Sequence, residues 1–252
     1  MIRPTLIVLF VLIFGVLRLP IENALTERDR VAFSHQVNLR LELREQIGQL
    51  GFIAALSGFR SLVADFAFIE AQTAWERTEW SRVLLCFQEA TTLQPHSLLY
   101  WDMAAWHMAW NASAAALHER VLPTEFLRRR AQRQYIDLGK NFLQRGVRNN
   151  PRRPELYESL ARLYRDKLQD HAAAASCYTK AASLPGSADY DERFAAYELS
   201  YAPGRECEAW QILRSLYDRG PHERLPTLLE RLKFLEKKLN LPLQDRIPDT
   251  QM

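Results

Sequence analysis

Glycine is scarce in this chain. Nine glycines in 252 residues leave little of the turn chemistry that closely spaced strands require, and apolar–polar alternation is equally rare, which excludes a sandwich or a barrel of short strands. Cysteine is scarcer. Cys86, Cys177 and Cys207 form no C-x-x-C pair and no zinc-type spacing, so there is no disulfide framework or metal motif to read. Each lies in a helical pattern and is expected to be a small buried apolar side chain. Catalytic signatures are missing as well: there is no G-x-S-x-G, no glycine-rich phosphate loop and no H-E-x-x-H, which removes the hydrolase, nucleotide-loop and zincin readings. No catalytic residue, cofactor or resident metal is expected, and the protein is not expected to be an enzyme.

What remains is rich in Ala, Leu, Arg and Glu in long segments of helical period, which predicts an all-α protein. The first residues differ from the rest. After Met1-Ile2-Arg3, residues 4–17 carry no charge, and Arg18 and Pro20 close the run. It is shorter than the roughly 20 residues of an ordinary span, but Arg3 and Arg18 can snorkel to the two interfaces. The rival reading is a cleaved secretory signal. Glu22-Asn23-Ala24 places a large acid where cleavage needs a small residue. Residues 1–20 are therefore read as an uncleaved transmembrane signal anchor of a single-pass membrane protein. A short-headed N-terminal anchor of this kind usually leaves the body on the extracytoplasmic side, although the flanking positive charges are nearly balanced. Thr26-Glu27-Arg28-Asp29 opens the next helix like a capping box, and residues 21–49 read as a charged helical stalk. The segment 50–74 is more apolar, but Arg60, Asp65 and Glu70 interrupt it. Three charges at membrane depth are costly, so a packed helix is expected there.

Beyond the stalk the chain repeats itself. Ala71, Phe87, Ala90 and Pro95 have counterparts in Ala161, Tyr178, Ala181 and Pro185, with Glu76-Arg77-Thr78-Glu79-Trp80 and Gln169-Asp170-His171 as the intervening turns. This pattern resembles the tetratricopeptide repeat, in which a small residue of a first helix meets an aromatic, an alanine and a closing proline of a second. Two looser units join them, one from Trp101 to Val147 with an insertion around residues 111–123, and one over residues 191–221. The resemblance implies an α-solenoid of about four helix pairs over residues 50–240, ending in an amphipathic capping helix with Leu225, Leu228, Leu229, Leu232 and Leu235 on one face. Residues 241–252 are expected to be a flexible tail. The family's usual role implies a scaffold that holds a partner protein in a groove.

Five of the six tryptophans, Trp75, Trp80, Trp101, Trp106 and Trp110, fall within 36 residues. Core packing explains such a cluster. The functional reading is an aromatic-lined partner groove, with Trp75, Trp101, Trp106 and Trp110 as anchors and Asp65, Glu70 and Asp102 as polar contacts. Arg60 and Asp65 are an alternative internal ion pair. Between Arg120 and Arg153 ten basic residues face two acidic ones, a local balance of +8 that leaves −5 for the rest of a chain whose total is +3. Leu127, Ala131, Tyr135, Leu138 and Phe142 mark the buried stripe of this helix. Arg128, Arg129, Arg130, Arg133 and Lys140 then face outward, as a solvated face or as a site for anionic lipid or an acidic partner. Nucleic acid is an unlikely partner for a membrane-tethered body. His107, Asn111 and His118 have helical spacing, and a metal-dependent enzyme or ligand-binding protein using His107 and His118 is the alternative to the membrane-anchored scaffold. Asn111-Ala112-Ser113 also matches the glycosylation acceptor pattern.

Overall fold

The computed structural model describes residues 58–248. The anchor at 1–20, the stalk at 21–49 and the last residues of the tail lie outside them. The described residues form helices and turns with no strand among them, as the sequence predicts for an all-α chain. None of their helices is long and apolar enough to cross a membrane. The chain divides into two compact units, Met1–Phe142 and Leu143–Met252, with the boundary inside one long helix.

In the first unit, α1 (Arg60–Glu76) and α2 (Trp80–Leu93) pack as a pair. The turn between them reverses sharply. Thr78 takes a left-handed backbone (φ 58°), its N–H donates to the Trp75 carbonyl at 2.8 Å, and the Glu79 N–H donates to the Ala74 carbonyl at 2.9 Å. Those two bonds satisfy carbonyls that the helix end would leave unpaired. Ala64, Ala71 and Ala74 of α1 and Ala90 of α2 are all buried, with Val83 and Phe87 beside them. Next, α3 (Leu98–Trp106) runs without a break through a π-helical turn, His107–Ala112, into α4 (Ser113–Leu117). Helix thus continues well into the stretch read as an insertion.

The arginine-rich helix, α5 (Glu125–Asn149), meets α3 and the π-helical turn at Gly139. A Cβ on Gly139 would lie 2.6 Å from the Ala109 Cβ and 2.9 Å from the Ala105 carbonyl oxygen. The helices touch backbone to backbone, and this corrects the expected stripe. Ile136, Gly139, Phe142, Leu143 and Gly146 are the buried positions, while Leu127, Ala131, Tyr135 and Leu138 are half-buried. Counting apolar side chains missed a contact made by a residue without one.

The second unit continues with α6 (Pro154–Leu163), prolonged by a π-helical turn Tyr164–Leu168, then α7 (His171–Ala182), α8 (Asp191–Tyr201), α9 (Glu206–Asp218) and α10 (Pro226–Lys238). Each of these helices packs on the next. Pro154 and Pro226 open their helices, where the missing N–H costs nothing. Gln169 reverses the chain at φ 53°, and the Asp170 carboxylate caps α7 by accepting from the Ala173 N–H at 2.9 Å. Ala161, Tyr178 and Ala181 are buried, and Tyr178 meets Phe194 edge-on at 5.5 Å.

At the C-terminal end, Leu228, Leu229, Leu232 and Leu235 enter a core with Leu213 and Leu216, whereas Leu225 stays exposed just before the helix. The residues expected to be a loose tail fold back as far as they are described. Ile247 joins that core, its N–H donates to Glu236 Oε1 at 2.9 Å, and Arg214 donates to the Asp245 carbonyl at 3.1 Å. Arg231 is buried too. It donates to Ser200 Oγ at 2.8 Å and to the Ser200 carbonyl at 3.1 Å, with its guanidinium 3.8 Å from the centre of the Tyr201 ring. An amphipathic cap ordinarily keeps its cations in water, and Arg231 departs from that because the Ser200 hydroxyl, the Ser200 carbonyl and the Tyr201 ring receive it.

Gly139→Ala tests the backbone contact. In an exposed helix this change stabilises by up to about 1 kcal/mol. Here the added methyl must displace Ala109 and the α3 backbone, and overpacking of this kind costs roughly 1–3 kcal/mol. Thermal unfolding is expected to show a lower melting temperature, the reverse of the ordinary sign.

Candidate functional site

Helices α1 and α3 meet through side chains. Phe68 of α1 stacks on Tyr100 of α3 with ring centres 5.3 Å apart, and the Tyr100 hydroxyl donates to Asp65. With Ala64, Phe68, Ala71 and Trp75 turned toward these neighbours, helical geometry sends Leu62, Phe66 and Ile69 the other way. Phe66 is 61% exposed and Ile69 58%. On α3, Leu99 and Trp106 are exposed with Asp102 between them. Neither the stretch 61–76 nor the stretch 98–117 holds a single Lys or Arg, and their only acids are Asp65, Glu70, Glu76 and Asp102. The outer faces of α1 and α3 are therefore apolar and acidic.

Only part of the expected aromatic groove lies on them. Trp101 is fully buried, donates from Nε1 to the Pro95 carbonyl at 2.8 Å and packs against Phe142. It is a core residue, because the α5 crossing covers its side of α3. Trp106 and Trp110 stack on each other at 5.0 Å with 16° between their planes, Trp106 being 48% exposed. Trp75 is partly exposed. Glu70 turns to α2 and pairs with Arg82, which takes it away from α3. Asp65 accepts from the Tyr100 hydroxyl. Leu62, Phe66, Ile69 and Leu99 are exposed apolar residues of these faces that sequence reasoning missed. Their spacing at 62, 66 and 69 is visible in the sequence, but so is the alanine line at 64, 71 and 74, and only packing shows which one the neighbours take.

The histidine alternative does not assemble. His107 is buried in the π-helical turn, stacked on Phe87 at 5.4 Å and edge-on to Trp75 at 5.1 Å, not between Trp106 and Trp110 as its sequence neighbours suggest. Burial holds its pKa below the usual value. Its Nδ1 is 3.1 Å from Asn111 Nδ2, so the asparagine of the glycosylation pattern is engaged inside a helix. His118 is exposed at the end of α4. Among the described residues no group of three or more His, Cys, Asp or Glu could hold a metal ion. Burial pushes the Cys86 and Cys177 thiols up to about 11, far from the thiolate range. Of the three cysteines expected to be buried only Cys86 is; Cys177 is half-buried and Cys207 exposed.

The arginine ridge has more shape than a charge count suggests. Phe126, Arg129, Arg130 and Arg133 follow i, i+3, i+4, i+7 spacing and form one outward line on α5, while Arg128 and Lys140 are half-buried beside it. Phe126 is 73% exposed, and Val121, just before the helix, is 83% exposed. Arg129 pairs with Glu125 at 2.6 Å, Arg133 reaches Asp137 at 3.9 Å and Lys140 reaches it at 3.1 Å. Such solvated pairs hold a side chain only weakly. The ridge is apolar and basic.

A second cluster lies in the other unit. Asp191, at the start of α8, is fully buried. The Ala188 N–H donates to its Oδ2 at 3.1 Å, while its Oδ1 has no hydrogen-bond partner. Nearby, the Tyr190 hydroxyl donates to Glu158 at 2.7 Å. Burial, reinforced by the Glu158 charge, pushes the Asp191 carboxyl up to about 6. In the first unit burial pushes Glu89 up to about 7 against the opposing pull of Arg60. Compared with known protein families, curated proteins and solved structures, the chain matches none.

The two raised carboxyls set a sign for pH dependence. The folded protein keeps protons on Asp191 and Glu89 that the unfolded chain has already released, so these groups make stability fall as pH rises from about 4 to about 7. Asp191→Asn keeps an acceptor for the Ala188 N–H and removes the buried charge. It is expected to raise stability above about pH 7 by roughly 1–3 kcal/mol and to flatten the lower part of the slope, measured by denaturant unfolding across that range. An unchanged profile would place the source elsewhere.

Proposed function

We propose that this protein is a scaffold of tetratricopeptide type, tethered to a membrane by residues 1–20, that holds a protein partner against the outer faces of α1 and α3. The observation that carries this reading is the composition of those faces: large exposed apolar side chains, Asp65 and Asp102 among them, and no cation. Exposed apolar clusters rimmed by polar groups mark interaction surfaces, and Phe66, Ile69 and Trp106 have the size of anchor residues. Several helices pack in sequential pairs around buried alanines, as a helical-repeat scaffold requires. The arginine ridge adds a second, oppositely charged surface suited to acidic groups on a partner or on lipid.

The test is capture of the full-length protein from non-ionic detergent, wild type beside Phe66→Ser/Ile69→Ser. Both side chains are exposed, so the melting temperature is expected to change little. Specific co-purifying chains are expected to fall at least tenfold in the variant. Recovery of the same chains in the same amounts by a folded variant would remove the α1 face from the function.

A further inference from the structure

We propose that the occupant of the α1 and α3 faces is the arginine ridge of a second copy of this chain. This rests on the reading of those faces as a docking surface, and it adds the identity of the partner. The two surfaces are complementary in kind. One presents Leu62, Phe66, Ile69, Leu99 and Trp106 with Asp65 and Asp102. The other presents Phe126 and Val121 with Arg129, Arg130 and Arg133. Each leaves large apolar groups in water, and each carries charge of the sign that the other lacks.

Their dimensions agree too. Leu62 to Ile69 and Phe126 to Arg133 are both lines of i, i+3 or i+4, i+7 residues, each rising about 10 Å along its helix. Laid together, Val121 and Phe126, at the start of the basic line, would pack on the apolar side chains of α1 and α3, and Arg129, Arg130 and Arg133, which make up the rest of that line, would meet the carboxylates beside them. The competing partners of the arginines are weak. Glu125 and Asp137 lie on the same helix, and these ion pairs are largely solvated, so exchange for Asp102 of a second copy, and for Asp65 as an acceptor that keeps its bond from Tyr100, loses little. Because the two patches differ, the contact is heterologous. Made once per pair of copies it closes into a ring or continues head to tail; made twice about a two-fold axis it is an isologous dimer.

The experiment uses the full-length chain in non-ionic detergent, followed by sedimentation velocity and by co-capture of two differently tagged copies. Wild type is expected to self-associate, and the association is expected to weaken several-fold when salt rises from low to well above physiological strength, because rim charges are screened. Two variants then separate the surfaces, Phe66→Ser/Ile69→Ser on α1 and Arg129→Glu/Arg130→Glu/Arg133→Glu on α5. Circular dichroism and melting temperature establish that each is folded. Neither is expected to bind its own kind. A mixture of the two is expected to associate, since each still carries the surface that the other has lost. Failure of the mixture to associate, or undiminished self-association of the folded arginine variant, overturns the proposal. A wild-type chain that stays monomeric while Phe66→Ser/Ile69→Ser still loses a captured partner overturns the second copy and leaves the docking face standing. A monomeric chain whose captured partners ignore that variant overturns both.

Discussion

Close approach of helices at small residues is the constraint on which the rest of the described structure depends. Ala64, Ala71 and Ala90 in the first unit, and Ala161 and Ala181 in the second, are completely buried. Gly139 carries the principle to its limit, leaving no room for even a methyl against Ala105 and Ala109. Interiors are close-packed, so a small residue at a crossing brings the two backbones together and lets the aromatic side chains around it interlock. Phe68, Phe87 and Tyr100 fill the space beside Ala64 and Ala90 in this way.

The same constraint explains why α1 turns large apolar side chains to solvent. An alanine-lined contact consumes one side of the helix with little side-chain volume. The remaining apolar residues, Leu62, Phe66 and Ile69, then have nowhere inside to go. A similar division holds on α3 and the π-helical turn that continues it, where Ala104, Ala105 and Met108 pack and Leu99 and Trp106 do not. The exposed faces are by-products of tight crossings on the opposite side. Their apolar and acidic character follows from the sequence of the same two helices, which contain no cation beyond the first residue of α1.

Polar groups inside the units are handled unevenly. Arg231 is well provided, with two bonds to Ser200 and an aromatic ring beneath it. The His171 Nδ1 lies 2.7 Å from Glu198, itself buried. Asp191 and His107 are left with one atom each unsatisfied, and burying a polar atom without a partner is costly. Asp191 answers that cost with a raised carboxyl pKa and His107 with a lowered one, because each favours its neutral form in a medium that solvates charge poorly.

Helix was legible in the sequence almost throughout the described region. The turns at Thr78 and Gln169, the cap at Asp170 and the leucine line at 228, 229, 232 and 235 are where local chemistry places them. Turn and capping preferences act over a few residues, and amphipathic period is a property of one helix, so both survive in a linear reading. The basic stretch of α5 is equally a property of composition. What the sequence could not decide was which of two apolar lines on a helix is covered, whether Trp101 packs and Trp106 does not, which neighbour His107 faces, and whether Ile247 returns to the core. Each of those depends on groups distant in the chain: Phe142 for Trp101, Trp75 and Phe87 for His107, Glu236 for the residues around Ile247. Local preference determines that a helix forms and where it stops; only the meeting of several helices determines which of its faces is left to water.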